Sequence, residues 1–330
     1  MNDFKKILII CPGGAMTAGP EALHQLAAEL NQLKQTAVMV YHPFHKTFST
    51  PIPYQKYQTP VETFSDEDDN LIVYPEIFTN LALKTKHAKA AIWWMSVNNF
   101  TCIRYKNPLR DKIRYWKNVL KGKIPWQGIK ALTGLRHFAQ SHYASEFLAS
   151  HGIQSLPLSD PIPVFTDPNY LASLIPRLET ANRQNIICYN PSKGTKITES
   201  IMATFPHWTF KALKGLDREQ LAAEFLSAKI YLDFGHHPGK DRLPREAAIH
   251  GCCIITGLFG SAENPVDIPI PNRFKLNVND IGFMNSLEKV VNEIFSSFET
   301  CSQELEAYRQ TISHEPENFN QQVMAAFSNS

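Results

Sequence analysis

The sequence predicts an α/β protein of two doubly wound, Rossmann-like halves facing a cleft. Three observations carry this. Short apolar runs alternate with helical periods along the whole chain, the pattern of parallel strands and crossover helices. The alternation breaks at residues 155–176, where Pro157, Pro161, Pro163, Pro168 and Pro176 cluster, as in a linker. The length of 330 residues suits about two domains of roughly 100–200 residues each.

The first half opens with a buried-strand run at 6–11, a glycine loop at 12–20 and a helix beginning at Pro20-Glu21. Proline is tolerated in a first helical turn, and an acid there suits the helix dipole. Leu23, Leu26, Ala27, Leu30 and Leu33 repeat at helical spacing, and 37–41 is the next strand, completing a βαβ unit. Further strands are predicted at 71–74, 88–95 and 138–141, and a helix at 144–151. The second half predicts strands at 185–189, 209–212, 229–234 and 252–256. Helices are predicted at 196–204, 218–228 and 244–250, with a long closing helix at 287–309. The domains are placed at 1–165 and 166–310, with a tail at 311–330. Sheets of this kind bind ligands at the carboxyl ends of their strands, so a facing pair offers a cleft.

Composition excludes several classes. Lys+Arg (33) and Asp+Glu (31) nearly cancel, so no polyelectrolyte character suggests a nucleic-acid partner. No apolar run reaches the ~18–20 residues of a membrane span. The N-terminal apolar run, 7–10, is too short for a signal-peptide core. The six cysteines show no CxxC spacing and read as reduced thiols of a cytoplasmic protein.

Three segments hold candidate chemistry. The loop 12–20, with Gly13, Gly14 and Gly19, sets backbone N–H groups and a helix start where an anion could approach. It has neither the GxGxxG nor the P-loop spacing. The turn Asn190-Pro191-Ser192-Lys193-Gly194 places a lysine between strand and helix. The loop 235–243, Gly-His-His-Pro-Gly-Lys-Asp-Arg-Leu, concentrates charge between two buried strands. Lys240 and Arg242 would balance a diphosphate, and Glu246 could accept hydrogen bonds from ribose hydroxyls. His236 and His237 suggest a metal, but sequence neighbours rarely chelate one ion and no third ligand is spaced to help.

The run from Asp233 to Thr256 resembles the donor-binding region of GT-B glycosyltransferases. It is similar in particular to a bacterial group-1-like family with a DFG-x-HPGKDR-x-PREAA-x-x-GCC-x-ITG signature. Thr17-Ala18-Gly19-Pro20-Glu21-Ala22-Leu23-His24-Gln25-Leu26 resembles that family's N-terminal loop and helix. Tyr189 to Gly194 and Ile92 to Asn99 are similar to it as well. The resemblance implies a carboxyl-terminal half that binds a nucleotide-sugar and an amino-terminal half that presents the acceptor. It implies Lys193, Lys240 and Arg242 near the donor phosphates and Glu246 near the ribose, with Asn190, Gly194, His237 and Gly239 completing the donor set. Gly13, Gly14, Thr17, Gly19, Asn98 and His142 would line the acceptor side. Where the best-known group-1 pattern has two glutamates eight residues apart, this chain has Pro238 eight residues before Glu246.

The expected activity is glycosyl transfer from a nucleotide-sugar to a glycan or lipid-linked acceptor in bacterial surface polysaccharide synthesis. Transfer of this kind needs positioning and positive charge for the departing diphosphate, supplied by Lys240 and Arg242 with no metal or other cofactor. An inverting enzyme also needs a base, for which His24 and Asp241 are the candidates. The alternatives are a nucleotide- or sugar-phosphate-binding protein without transfer, a nucleotide-sugar epimerase, and a structural partner protein. Residues 104–123 hold eight Lys/Arg and one acid, interleaved with Ile113, Tyr115, Trp116, Val119 and Leu120. Such a stretch can dock on anionic lipid, which would place a cytoplasmic protein on the inner face of the membrane.

Overall fold

The computed structural model describes residues 4–103 and 107–327. Its strands in the first half are β1 (Lys6–Pro12), β2 (Ala37–His42), β3 (Asn70–Pro75), β4 (Lys89–Trp94), β5 (Arg136–Ala139) and β6 (Leu156–Pro157). Those in the second are β7 (Gln184–Tyr189), β8 (Thr209–Ala212), β9 (Ala228–Asp233), β10 (Cys253–Gly257) and β11 (Lys275–Leu276). The helices begin with α1 (Ala18–Gln32), α2 (Thr79–Ala82), α3 (Val97–Thr101), α4 (Pro108–Leu120), α5 (His142–Ala149) and α6 (Pro168–Glu179). They continue with α7 (Thr195–Thr204), α8 (Arg218–Ser227), α9 (Arg242–Ile249) and α10 (Phe283–Ser296). Last come α11 (Phe298–Gln303), α12 (Glu306–Ser313) and α13 (Glu315–Phe327).

The chain forms two compact units. The first takes in the chain to Asp160, the short segment Pro238–Lys240 and the chain from Pro316 onward. The second comprises Pro161–His237 and Asp241–Glu315.

The first unit is built on a parallel sheet of order β2-β1-β3-β4-β5-β6. Its strands read as continuous apolar runs because both faces are covered. Alternate residues of β1 serve opposite faces: Ile7, Ile9 and Cys11 pack with Leu23 and Leu26 of α1 and with Phe319 and Val323 of α13. Leu8 and Ile10 pack on the other side with Phe100 of α3, Val119 of α4 and Leu148 of α5.

The second unit carries a parallel sheet of order β11-β10-β9-β7-β8 around one core. Its helix starts follow local chemistry. Asp217 caps α8 in a reciprocal capping box with Gln220. Asp167 caps α6 by accepting from the N–H groups of Asn169 and Tyr170.

Three stretches differ from expectation. The proline-rich segment 155–176 contains most of α6, because Pro168 has no N–H to leave unpaired and opens a helix well. The closing helix over 287–309 is three helices: the chain leaves helical geometry at Ser297 (φ −131°, ψ 46°) and again at Leu305. The stretch 311–330 is helical in its described part, where Phe327 of α13 meets Phe138 of β5 at 5.1 Å between ring centres.

Candidate functional site

In the second sheet β7 lies between β8 and β9. The winding direction therefore reverses between β7 and β9, and the loops leaving their carboxyl ends flank the crevice where open α/β sheets hold ligands. These are the turn 190–194 and the loop 235–243. Two glycines let them meet. Gly194 has φ +60°, and a Cβ there would lie 2.8 Å from the backbone of Gly235 and Phe234. A Cβ on Gly235 would lie 2.4 Å from Cβ of Lys193. The turn itself is fixed by Asn190, whose Oδ1 accepts from the Ser192 N–H at 2.9 Å.

This close approach sets Lys193 against the β9 loop, where its ammonium is ion-paired with Asp241. Asp241 also lies 3.5 Å from Nδ1 of His237, and Asp233 lies 3.6 Å from Nε2 of the same ring. Asp233 accepts further from the Tyr231 hydroxyl at 2.9 Å and the Gly235 N–H at 2.8 Å. Burial alone would raise the Asp233 pKa, but His237, Lys193 and the Gly235 N–H overcome it and hold the carboxyl at about 2. Burial pushes the His237 imidazole down, and the carboxylates of Asp233 and Asp241 overcome that and raise it. Two acids thus alternate with two bases in a charge-balanced chain, the arrangement that makes buried charge tolerable.

Asp233, His237 and Asp241 offer three ligand atoms within 4.8 Å of one another, so the expectation that no third ligand accompanies the histidines is corrected. The two ring nitrogens of His237 face different carboxylates, and Lys193 is paired with Asp241. As a catalytic base Asp241 is likewise engaged.

Arg242 opens α9 and is half-buried, with half-buried Glu246 one turn on. Arg245 between them was not singled out by sequence. It is 1% exposed, donates to the Asp241 carbonyl at 3.1 Å and pairs with Glu315 at 2.8 Å. Behind α9, His250 donates from Nδ1 to the Glu246 carbonyl at 2.6 Å and accepts at Nε2 from the Tyr170 hydroxyl at 2.6 Å, and burial pushes its pKa down to about 4.

Gly239 and Lys240 belong to the first unit. A Cβ on Gly239 would lie 1.9 Å from the Met95 carbonyl oxygen, and the Lys240 N–H donates to Gln140 at 3.0 Å. In the same unit Gly13, Gly14 and Gly19 follow β1, with Gly14 at φ +72° and Thr17 exposed just before α1. His24, a candidate base, is instead a structural tie. It is fully buried, its ring nitrogens meet the Pro20 carbonyl at 2.7 Å and the Tyr41 hydroxyl at 2.9 Å, and burial lowers its pKa. Asn98 is buried, donating to the Ile103 carbonyl at 3.3 Å. His142 is exposed at the start of α5, 3.4 Å from Glu146. Within the second unit the structure therefore brings Asn190, Lys193, Gly194, His237 and Asp241 together, and within the first the Tyr143 hydroxyl, next to His142 in sequence, donates to Asn98 Oδ1 at 3.4 Å.

No known family model matches the chain, and no curated protein does. Among solved structures it is similar to a glycosyltransferase from Rickettsia africae, at 13% identity and a TM-score of 0.59 over 99% of this chain and 100% of that one. It is similar to sucrose-phosphate synthase from Thermosynechococcus elongatus, at 13% identity and 0.57 over 98% and 95%. A third is the catalytic domain of starch synthase IV from Arabidopsis thaliana, bound to ADP and acarbose, at 10% and 0.55 over 97% and 99%. Two parallel α/β units in one chain, on the pattern of these proteins, give the GT-B fold. At such identities the likeness is one of fold.

Proposed function

We propose that the chain is a glycosyltransferase. It moves a sugar from a nucleotide-diphosphate donor to a glycan or lipid-linked acceptor in surface polysaccharide synthesis, as the group-1-like resemblance implies. The observation that carries this reading is the placement of Lys193 at the reversal point of the second sheet, with the start of α9 in the same unit. The acceptor oxygen bonds to the anomeric carbon as the bond from that carbon to the diphosphate breaks. The diphosphate leaves with the electron pair, and its freed oxygen takes the proton that the acceptor hydroxyl gives up. Lys193 and Arg242 stabilise that charge, and Glu246 holds the ribose. The reading gives the neutralising role to these side chains rather than to a metal ion.

The acceptor side is read as membrane-facing. Among the described residues no helix is long and apolar enough to cross a membrane. Yet Leu109, Ile113, Trp116 and Leu120 of α4 are all exposed. Their spacing puts them on one helical stripe. Arg110, Lys112 and Lys117 accompany it, and Lys121 and Lys123 follow. An exposed apolar stripe flanked by cations supports contact with an anionic leaflet. The first residues of the basic stretch, 104–106, lie outside the described residues.

The test is turnover against a panel of nucleotide-sugars, following released nucleoside diphosphate with and without glycan acceptors. Acceptor-dependent release is expected. Release independent of acceptor would favour an epimerase, and binding without release would favour a protein that kept the fold and lost transfer.

A further inference from the structure

A cavity of about 620 Å³ opens at the carboxyl end of the first sheet. His42 of β2, Glu76 just beyond β3 and Asn99 of α3, which follows β4, line its inner part. Phe78 and Phe100 contribute apolar wall. Lys84, Lys121 and Lys123 also line it, and all three are exposed.

The backbone between two of the lysines is tied to α2. The chain turns at Gly122 (φ +65°), and its carbonyl accepts from the Asn80 side chain of α2 at 2.7 Å. That bond fixes Lys121 and Lys123 on either side of a point tied to α2, and Lys84 lies two residues beyond α2. Among the described residues, none of the three forms an ion pair. Lys6, Lys56, Lys193 and Lys211 each have a carboxylate partner. Glu76 does little to offset the lysines. It is 3% exposed and accepts from the Asn99 side chain at 2.7 Å and the Met95 N–H at 3.2 Å. Burial, opposed by those bonds, pushes its pKa up to about 7. The cavity therefore keeps a net positive rim beside a wall that could take an apolar or sugar-ring face.

We propose that this cavity binds the acceptor through a phosphate group, which Lys84, Lys121 and Lys123 recognise. The inference rests on the glycosyltransferase reading, whose acceptor it specifies. A phosphate can come from a hexose phosphate or from the head of a phosphorylated lipid, and both present the same dianionic oxygens to the lysines.

The experiment is calorimetric titration of the full chain with glucose 6-phosphate, farnesyl phosphate, inorganic phosphate and glucose. It compares the wild type with a Lys84→Ala/Lys121→Ala/Lys123→Ala variant, whose unchanged melting temperature reports an intact fold. At least one phosphate ester should bind the wild type. Its affinity should fall about tenfold or more in the variant, the loss expected when even one charge-assisted hydrogen bond goes, and it should weaken with added salt. Tighter binding of glucose 6-phosphate assigns the phosphate to a sugar, and tighter binding of farnesyl phosphate to a lipid. Equal binding of glucose and glucose 6-phosphate, unchanged binding in the variant, or no binding of any ester overturns the proposal. A nucleoside diphosphate titrated in parallel separates the two readings. Nucleotide binding without ester binding defeats only the cavity assignment, and ester binding without nucleotide binding defeats only the donor site.

Discussion

Lys193 is ion-paired with Asp241, a residue 48 positions away, across the two loops that flank the reversal point of the second sheet. A lysine that is to meet a diphosphate is thus held in place by a carboxylate that partly cancels it. Replacing Asp241 with Asn keeps the shape and removes the charge. Affinity for nucleoside diphosphate should rise about threefold to tenfold, the effect of ~1 kcal/mol of relieved competition. Calorimetry of the Asp241→Asn variant checks this, and weaker binding would show that Asp241 serves the nucleotide directly.

The Asp233–His237 pair makes stability depend on pH at both ends of the scale. The His237 pKa lies above its ordinary 6.5. Its contribution is therefore fully present below about pH 6.5 and is lost as pH rises through the raised folded value. Asp233 is lowered from 3.8 to about 2. Its contribution, about 2 kcal/mol, is present above pH 3.8 and lost as pH falls toward 2. Melting temperatures of the wild type and His237→Gln should differ most in the mildly acidic range and converge as the medium becomes alkaline. A gap that widens with rising pH would contradict a protonated His237.

Gly194 has no room for a side chain and a backbone conformation that disfavours one. Gly194→Ala should cost roughly 2 kcal/mol or more, read by urea unfolding. It should also weaken nucleotide binding, because the same contact positions Lys193. Gly134 meets nothing within 4 Å, so Gly134→Ala is the control and should change stability little.

The α4 stripe gives a prediction independent of the donor site. The protein should sediment with phosphatidylglycerol vesicles and not with phosphatidylcholine vesicles, with about 1 kcal/mol gained per basic residue near the surface. Leu109→Ser/Trp116→Ser/Leu120→Ser should abolish that binding while leaving nucleotide affinity unchanged. Equal sedimentation of the variant would remove α4 from the membrane reading.

The βα rhythm was legible because strands buried on both faces of a parallel sheet must be apolar throughout, as at Ile7 to Ile10 and Ile230 to Leu232. The glycine turns were legible because tight strand-to-helix turns need Gly194 and Gly14. What was hidden depends on approach through space. Asp233, His237 and Asp241 run from a strand end through an irregular loop, where a spacing of four has no fixed geometric meaning. Arg245 finds Glu315 across 70 residues, a distance no local pattern encodes. His24 looked available because a histidine after a glycine loop resembles a base in sequence, whereas the fold closes Tyr41 and Pro20 onto both nitrogens. Glu76 carried no signal, since nothing in its neighbours announces a buried carboxyl.

The donor site at the reversal point of the second sheet is tested most directly by thermal shift with UDP, GDP, CDP, ADP, TDP and CMP, using the wild type, Lys193→Ala and Arg242→Ala. A ligand that binds only the folded state raises its melting temperature by mass action. One nucleotide should stabilise the wild type clearly and lose that effect in both variants. If none of the six stabilises the wild type, or if both variants respond as it does, the second unit does not hold a nucleotide where Lys193 and Arg242 stand.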